Sequence, residues 1–185
     1  MIYIALVHYP VINRQGEEIV SAVTNLDVHD IARVAKTYGI AGYYVVTPVK
    51  GQQELARKLI SHWRKGVGGE LNPDRRNALE LVKIRPELFS VYEDIRLATG
   101  MRPVVYATTG KKFKDTTSWA ELRQIMEEGK KSILLLFGTA NGLAPSVLQQ
   151  VDGVVAPIEG QRPYRHLSVR SAVAIALDRL LGHRE

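Results

Sequence analysis

Ile133-Leu134-Leu135-Leu136-Phe137-Gly138-Thr139-Ala140-Asn141-Gly142-Leu143-Ala144-Pro145 passes from an unbroken apolar run into a loop with two glycines. A run with no polar interruption reads as a strand buried on both faces, as in a parallel sheet. Glycine after such a strand lets the backbone turn sharply and lets a ligand approach the main chain. Loops outside the carboxyl ends of parallel strands are where α/β sheets bind ligands. By itself the loop also reads as an ordinary strand-to-helix turn. It is neither GxGxxG nor a Walker loop, since no Gly-Lys-Ser/Thr follows.

The pattern recurs in Gly153-Val154-Val155-Ala156-Pro157-Ile158-Glu159-Gly160, a short strand ending in a loop rich in proline and glycine. The segment 168–181 follows as a helix capped by Ser168. It is apolar nearly all round from Ala172 to Leu177, so most of its sides are buried, within the fold, in a subunit contact, or both. Further β-prone runs at 2–8, 42–47, 80–84 and 103–107 alternate with helical periodicity at 28–38, 51–64, 86–98 and 118–128. That alternation predicts an α/β fold, a mostly parallel sheet flanked by helices.

Local chemistry marks several ends. Asp27 is placed to cap the helix that carries Ile31, Val34 and Ala35. Ser118-Trp119-Ala120-Glu121 is a capping box. Gly39 and Gly129 stand where helices stop, in a position that tolerates left-handed dihedrals, and Pro86 suits a first turn. Lys65-Gly66-Val67-Gly68-Gly69-Glu70-Leu71-Asn72-Pro73 reads as a loop.

With 185 residues, 45% of them hydrophobic, the chain suits one compact domain over 1–185. The absence of cysteine excludes disulfides, thiolate zinc sites and cysteine nucleophiles. No apolar run is long enough to span a bilayer. The apolar N-terminus, Met1 to Pro10, lacks the basic leader of a signal peptide and reads as a first buried strand, and the absence of cysteine fits a cytoplasmic protein. The net charge of +6 and a pI near 9.6 favour a polyanionic partner, although a basic surface also serves solubility alone.

Phe137 to Leu143, then Ala156-Pro157-Ile158-Glu159-Gly160, then Tyr164-Arg165-His166-Leu167-Ser168-Val169-Arg170-Ser171-Ala172-Val173-Ala174-Ile175 resemble, in order and spacing, the last three motif segments of SPOUT methyltransferases. The likeness is greatest to a bacterial branch made of little more than the SPOUT domain. Asp27 to Ile40 resembles the first motif of the SpoU group: a polar residue, an arginine six positions on, then an aromatic-glycine helix end. The resemblance implies a deep C-terminal trefoil knot, a homodimer, and S-adenosylmethionine (SAM) as cofactor, held by three loops. Carried onto this chain, those loops place Thr108, Thr109 and Gly110 at the cofactor. They add Phe137, Gly138, Thr139, Gly142 and Leu143, and then Ala156, Pro157, Ile158, Gly160, Tyr164, His166, Leu167 and Ser168. The resemblance implies Arg33 and Asp27 as catalytic residues. Two positions depart from it. Thr139-Ala140-Asn141 stands where many SpoU-type enzymes carry an acidic residue, and the first-motif polar residue is Asp27, with Asn25 two residues earlier.

The stretch from Lys50 to Arg76 holds seven basic residues (Lys50, Arg57, Lys58, Arg64, Lys65, Arg75, Arg76) against Glu54, Glu70 and Asp74. Lys111-Lys112-Phe113-Lys114 follows the Thr-Thr-Gly loop. Basic residues beside a methyl donor position phosphates without reading bases. Lys50, Arg64, Lys65, Lys111, Lys112 and Lys114 are therefore the expected RNA contacts; the plain alternative is a solvated charged face. His8, His29, His62, His166 and His183 show no metal-ligand spacing, so no metal is expected. Trp63 and Trp119 sit at helical positions that favour the core over base stacking. The reading that results is a SAM-dependent RNA methyltransferase acting on a base nitrogen or ribose 2′-oxygen of tRNA or rRNA. The alternatives are a non-catalytic SAM- or RNA-binding protein with a SPOUT fold and a plain Rossmann-like nucleotide binder. The lack of GxGxxG after the first strand counts against the last.

Overall fold

The computed structural model describes residues 1–162, 164 and 166–183. The chain opens with β1 (Ile2–Val7), a small hairpin of β2 (Val11–Ile12) and β3 (Glu18–Ile19), α1 (Asn25–Thr37) and β4 (Gly42–Val46). Three helices follow, α2 (Lys50–Lys65), α3 (Val67–Leu71) and α4 (Pro73–Leu79), before β5 (Val82–Arg85), α5 (Leu88–Thr99) and β6 (Val104–Ala107). The last part is α6 (Trp119–Glu127), β7 (Ile133–Gly138), α7 (Pro145–Leu148), β8 (Gly153–Val154) and α8 (Val169–Leu181). The main sheet has the order β5-β4-β1-β7-β6-β8, and every pairing in it is parallel. This is the expected α/β arrangement.

The unbroken apolar strands have a simple cause: both faces of the sheet are covered. β1 sends Ile4 and Leu6 to one face and Tyr3, Ala5 and Val7 to the other. β7 divides Ile133, Leu135 and Phe137 from Leu134 and Leu136 in the same way. The first face packs against α1, α2, α4, α6 and α8, and the second against α5 and α7. Among the described residues no helix is long and apolar enough to cross a membrane.

Several local expectations are corrected. The N-cap of α1 is Thr24, whose side chain accepts from Asp27 N, and Asp27 belongs to the first turn. The supposed loop from Lys65 to Pro73 is mostly α3. Its glycines serve close packing: a Cβ on Gly69 would lie 2.1 Å from the Trp63 carbonyl oxygen, and one on Gly68 would lie 3.0 Å from the Trp63 ring. Tertiary contact with Trp63 overrides weak helix propensity there. Pro86 lies before α5, whose N-cap is Glu87. Gly39 and Gly129 stop their helices with φ of +68° and +64°, as expected.

α8 buries Val173, Ala176, Leu177 and Leu180 against the first core, while Ala174 and Ile175 are half-buried. The Arg123 guanidinium of α6 donates to the Leu180 and Gly182 carbonyls, at 3.0 and 2.7 Å, and so satisfies the free end of α8. This fixes the last helix and, through it, the loop before it. Leu177→Ala is expected to destabilise the fold by about 2–5 kcal/mol through the cavity it leaves, measured by urea unfolding. A loss below about 1 kcal/mol would mean that α8 docks by its ends alone.

Candidate functional site

A cavity of about 1420 Å³ opens where the carboxyl ends of β1, β6 and β7 meet the start of α8. Its wall brings together Thr108, Thr109 and Gly110 after β6, Phe137 and Gly138 at the end of β7, and Thr139 and Gly142 after it. Ile158, Tyr164, His166, Leu167 and Ser168 contribute from the segment before α8. Leu143 faces an adjoining cavity of about 380 Å³, and Ala156, Pro157 and Gly160 line neither. Pro163 and Arg165 of the same loop lie outside the described residues.

The β7 loop is shaped by two glycines for different reasons. A Cβ on Gly138 would lie 2.6 Å from Leu143 N, so the backbone doubles back on itself there. At Gly142 the space is open, but φ is +107°, which side-chain-bearing residues rarely adopt. The hairpin holds this loop in place: Ile12 N donates to the Gly142 carbonyl and Asn141 N to the Ile12 carbonyl, both at 3.0 Å. A Lys112–Glu159 ion pair of 3.0 Å ties the β6 loop to the C-terminal loop. Tyr164 and His166 stack edge to face at 5.5 Å. Ser168 caps α8 by accepting from Ser171 N.

Sequence reasoning missed part of the wall. Asn13, Arg14, Gln15 and Gly16 at the hairpin tip, Ser21, Ala22 and Thr24 before α1, and Trp119, Val169 and Ala172 all line the cavity. The segment 8–24 has no helical or strand period long enough to signal a role. Trp119 packs against the first core, as expected of it, and its indole Nε1 is buried with no hydrogen-bond partner among the described residues.

Asp27 lines the cavity, but its carboxylate is engaged. Arg170 Nε lies 3.4 Å from one oxygen, and the Thr24 hydroxyl donates to the other at 2.6 Å. Arg170 also reaches Asp30 at 3.0 Å, so one guanidinium joins α8 to two turns of α1. Arg33 is exposed, lies outside the cavity wall, and forms no ion pair among the described residues. Lys111 and Lys112 line the cavity, and Lys114 is exposed close by. Lys50 stands at one end of the 16-residue α2 and Arg64 and Lys65 at the other. They are separated by about 22 Å and form no single patch.

Behind the wall lies His8, fully buried at the end of β1. Its Nδ1 is 3.0 Å from Ser21 Oγ, which contacts Thr139 Oγ1, and Thr139 Oγ1 reaches the Val7 carbonyl at 3.0 Å. Burial lowers the His8 pKa to about 4, opposed by the charge of Asp27 and the backbone of Ala22.

The residues present suit an adenosyl sulfonium. Phe137, Ile158 and Leu167 offer apolar surface for a purine, threonine hydroxyls and tight backbone turns suit a ribose, and the Asp27 carboxylate favours a cation. The family model for SAM-dependent RNA methyltransferases matches residues 1–182. The chain belongs to this family. It is 46% identical over 181 residues to a tRNA (guanine-N(1)-)-methyltransferase of Oleidesulfovibrio alaskensis, covering 98% of this chain and 42% of that protein. It thus spans less than half of that relative's length. An uncharacterized protein of Aquifex aeolicus is 37% identical over 181 residues, covering 98% of this chain and 88% of the relative. Among solved structures, TrmJ from Z. mobilis superposes with a TM-score of 0.63 at 17% identity, covering 100% of this chain and 71% of that one. The SpoU methyltransferase AviRb from Streptomyces viridochromogenes, in complex with AdoMet, gives 0.58 at 15% identity, covering 97% and 58%. These likenesses show that the chain shares the fold of these two proteins.

His8 sets a pH dependence. Its pKa in the fold, about 4, lies below the ordinary 6.5, so as pH falls the unfolded chain takes up the proton first. Its contribution to stability is complete above about pH 6.5, is lost down to about pH 4, and amounts to about 3 kcal/mol. Urea titrations of wild type and His8→Asn over this window are expected to diverge by that amount, with the wild type more acid-sensitive. Parallel curves would show that His8 ionises freely in the fold.

Proposed function

We propose that the protein transfers a methyl group from SAM to a base nitrogen or ribose oxygen of RNA, with tRNA the first substrate to test. The observation that carries this reading is the cavity at the meeting of three loops, in a chain that matches the family from residue 1 to 182. The cofactor supplies the electrophilic methyl group. The protein holds the nucleophile in line with it and keeps water away. Thr108 to Gly110, Phe137 to Leu143 and Ala156 to Ser168 hold the cofactor, with Leu143 and Ala156 acting from behind the wall. Lys111, Lys112 and Lys114 meet the phosphates of the incoming RNA at the cavity mouth. Lys50, Arg64 and Lys65 make weaker, separate contacts.

Residues 1–185 act as one unit in the cytoplasm, where the RNA is. The chain after β8 leaves the sheet edge, lines the cavity, and returns as α8 against α1 and α6. The cavity shared by the loops after β6 and β7 and the segment before α8 supports the trefoil knot. The half-buried Ala174 and Ile175 on α8, beyond what the core of one chain uses, support a homodimer. Asp27 acts as a positioning residue, because its carboxylate is held by Arg170 and Thr24. Arg33, exposed and free of an ion pair among the described residues, contacts the RNA phosphate or nucleophile through its planar donor fork.

The test is incubation of the purified protein with methyl-labelled SAM and total RNA from a strain lacking the gene. Nucleoside mass spectrometry is expected to reveal one methylated product, absent from the untreated RNA. Arg33→Ala is expected to lose about a hundredfold in transfer, with binding of S-adenosylhomocysteine retained. Homocysteine-nucleoside binding without any product would instead leave a non-catalytic cofactor-binding protein.

A further inference from the structure

Replacing a hydrogen of an RNA nucleophile by a methyl group leaves one proton to be placed, and the groups at the cavity differ in their capacity to take it. Lys111 and Lys112 are cationic side chains with nothing to accept, and the Asp27 carboxylate is already held by Arg170 and the Thr24 hydroxyl. His166 lines the cavity with an exposed ring, where water competes for its nitrogens. The remaining base is His8, buried behind Ser21 and Thr139, two hydroxyls that line the cavity. We propose that Ser21 and His8 form the proton-accepting pair of the site, with Ser21 Oγ as the relay and His8 Nδ1 as the acceptor. This rests on the methyl-transfer reading above.

Apart from a pattern in which Ser21 Oγ accepts from Nδ1 and donates to the His8 carbonyl at 3.5 Å, the hydroxyl chain allows two hydrogen patterns. In one, the His8 Nδ1–H donates to Ser21, Ser21 to Thr139, and Thr139 to the Val7 carbonyl. In the other, the direction reverses: Thr139 donates to Ser21, Ser21 to His8 Nδ1, and the Val7 carbonyl keeps the Thr139 backbone N–H at 3.3 Å. Only the second leaves Nδ1 ready to accept. It puts the ring hydrogen on Nε2, which is buried with no partner in hydrogen-bond geometry among the described residues. The Ala22 backbone raises the proton affinity of the ring, as a carbonyl turned towards a ring N–H does.

The step balances. The bond between sulfur and methyl breaks as the bond between methyl and nucleophile forms. The nucleophile's proton passes to Ser21 Oγ while the Ser21 hydroxyl proton passes to His8 Nδ1. The transfer is late, when the departing hydrogen has become acidic, which suits a base held neutral by burial. Methyl transfer would leave the bound cofactor with one positive charge fewer, while His8 gains one beside the Asp27 carboxylate. Asp27 is the charged group that acts on His8, and Arg170 of α8 faces Asp27 in turn. The imidazolium returns its proton to water when the cavity reopens.

Two readouts test the pair. Nitrogen-15 NMR of the imidazoles in the free wild-type protein is expected to show His8 neutral at pH 7 with the hydrogen on Nε2. Its Nδ1 resonance should move in Ser21→Ala while the signals of His62 and His183 stay. Single-turnover transfer to RNA is expected to fall about a hundredfold in Ser21→Ala and in folded His8→Asn, and to persist in Ser21→Thr. The affinity for S-adenosylhomocysteine should change less than about threefold. A resting His8 with its hydrogen on Nδ1, or undiminished turnover in Ser21→Ala, overturns the relay. Should the wild type transfer no methyl group to any RNA, the methyl-transfer reading fails, and the NMR result still decides whether Nδ1 accepts from Ser21.

Discussion

Val7 lies opposite Gly138 in the parallel pairing of β1 with β7 at the middle of the sheet. That register brings the ends of two strands, distant in sequence, to one place. The Val7 carbonyl receives both the backbone N–H and the hydroxyl of Thr139, and His8, one residue on, is closed off behind Ser21. Parallel strands point their carboxyl ends the same way, so the loops after β1, β6 and β7 converge on one side and form the cavity. Slipping the register by one residue would send Ile4 and Leu6 to the wrong face of the sheet and misplace every loop.

Charge then closes the structure around that side. Arg170 at the start of α8 reaches Asp27 and Asp30 on α1, and Lys112 reaches Glu159 from the β6 loop. These ion pairs are partly exposed, and each contributes little energy by itself. Their role is geometric: they hold the start of α8 and the loop before it over the cavity. Arg123, half-buried against the end of α8, anchors the other end by capping its carbonyls. The wall of the site is therefore a rigid frame of strand ends with a final segment pinned at both ends.

Much of this frame is legible in the sequence because its causes are local and periodic. The apolar strands, the Ser118 and Ser168 caps, and the glycine stops at Gly39 and Gly129 follow from burial and backbone dihedrals. Phe137, Gly138, Thr139, Gly142, Tyr164, His166, Leu167 and Ser168, which the motif likeness singles out, line one cavity. What escaped depends on contacts between distant segments. α3 looks like a loop because Gly68 and Gly69 are poor helix formers, and only Trp63 explains them. The hairpin at 11–19 has two-residue strands, too short to show alternation, yet its tip lines the cavity. His8 gives no signal in sequence, since its side-chain partner Ser21 lies 13 positions away and the next hydroxyl in the chain, Thr139, a further 118. Asp27 reads in sequence as a helix cap and, by resemblance, a catalytic residue, and its ion pair with Arg170 spans most of the chain.

The claim at the centre of this account is that one cavity, at the carboxyl ends of β1, β6 and β7, holds the cofactor. Backbone amide NMR of the free protein during titration with S-adenosylhomocysteine tests it most directly. The account expects the largest shifts at Thr108 to Gly110, at Gly138 to Gly142 and at Tyr164 to Ser168, with smaller ones at Ser21 and at the start of α8. Shifts centred on α2, α3 and α4, with those three loops unchanged, would contradict it.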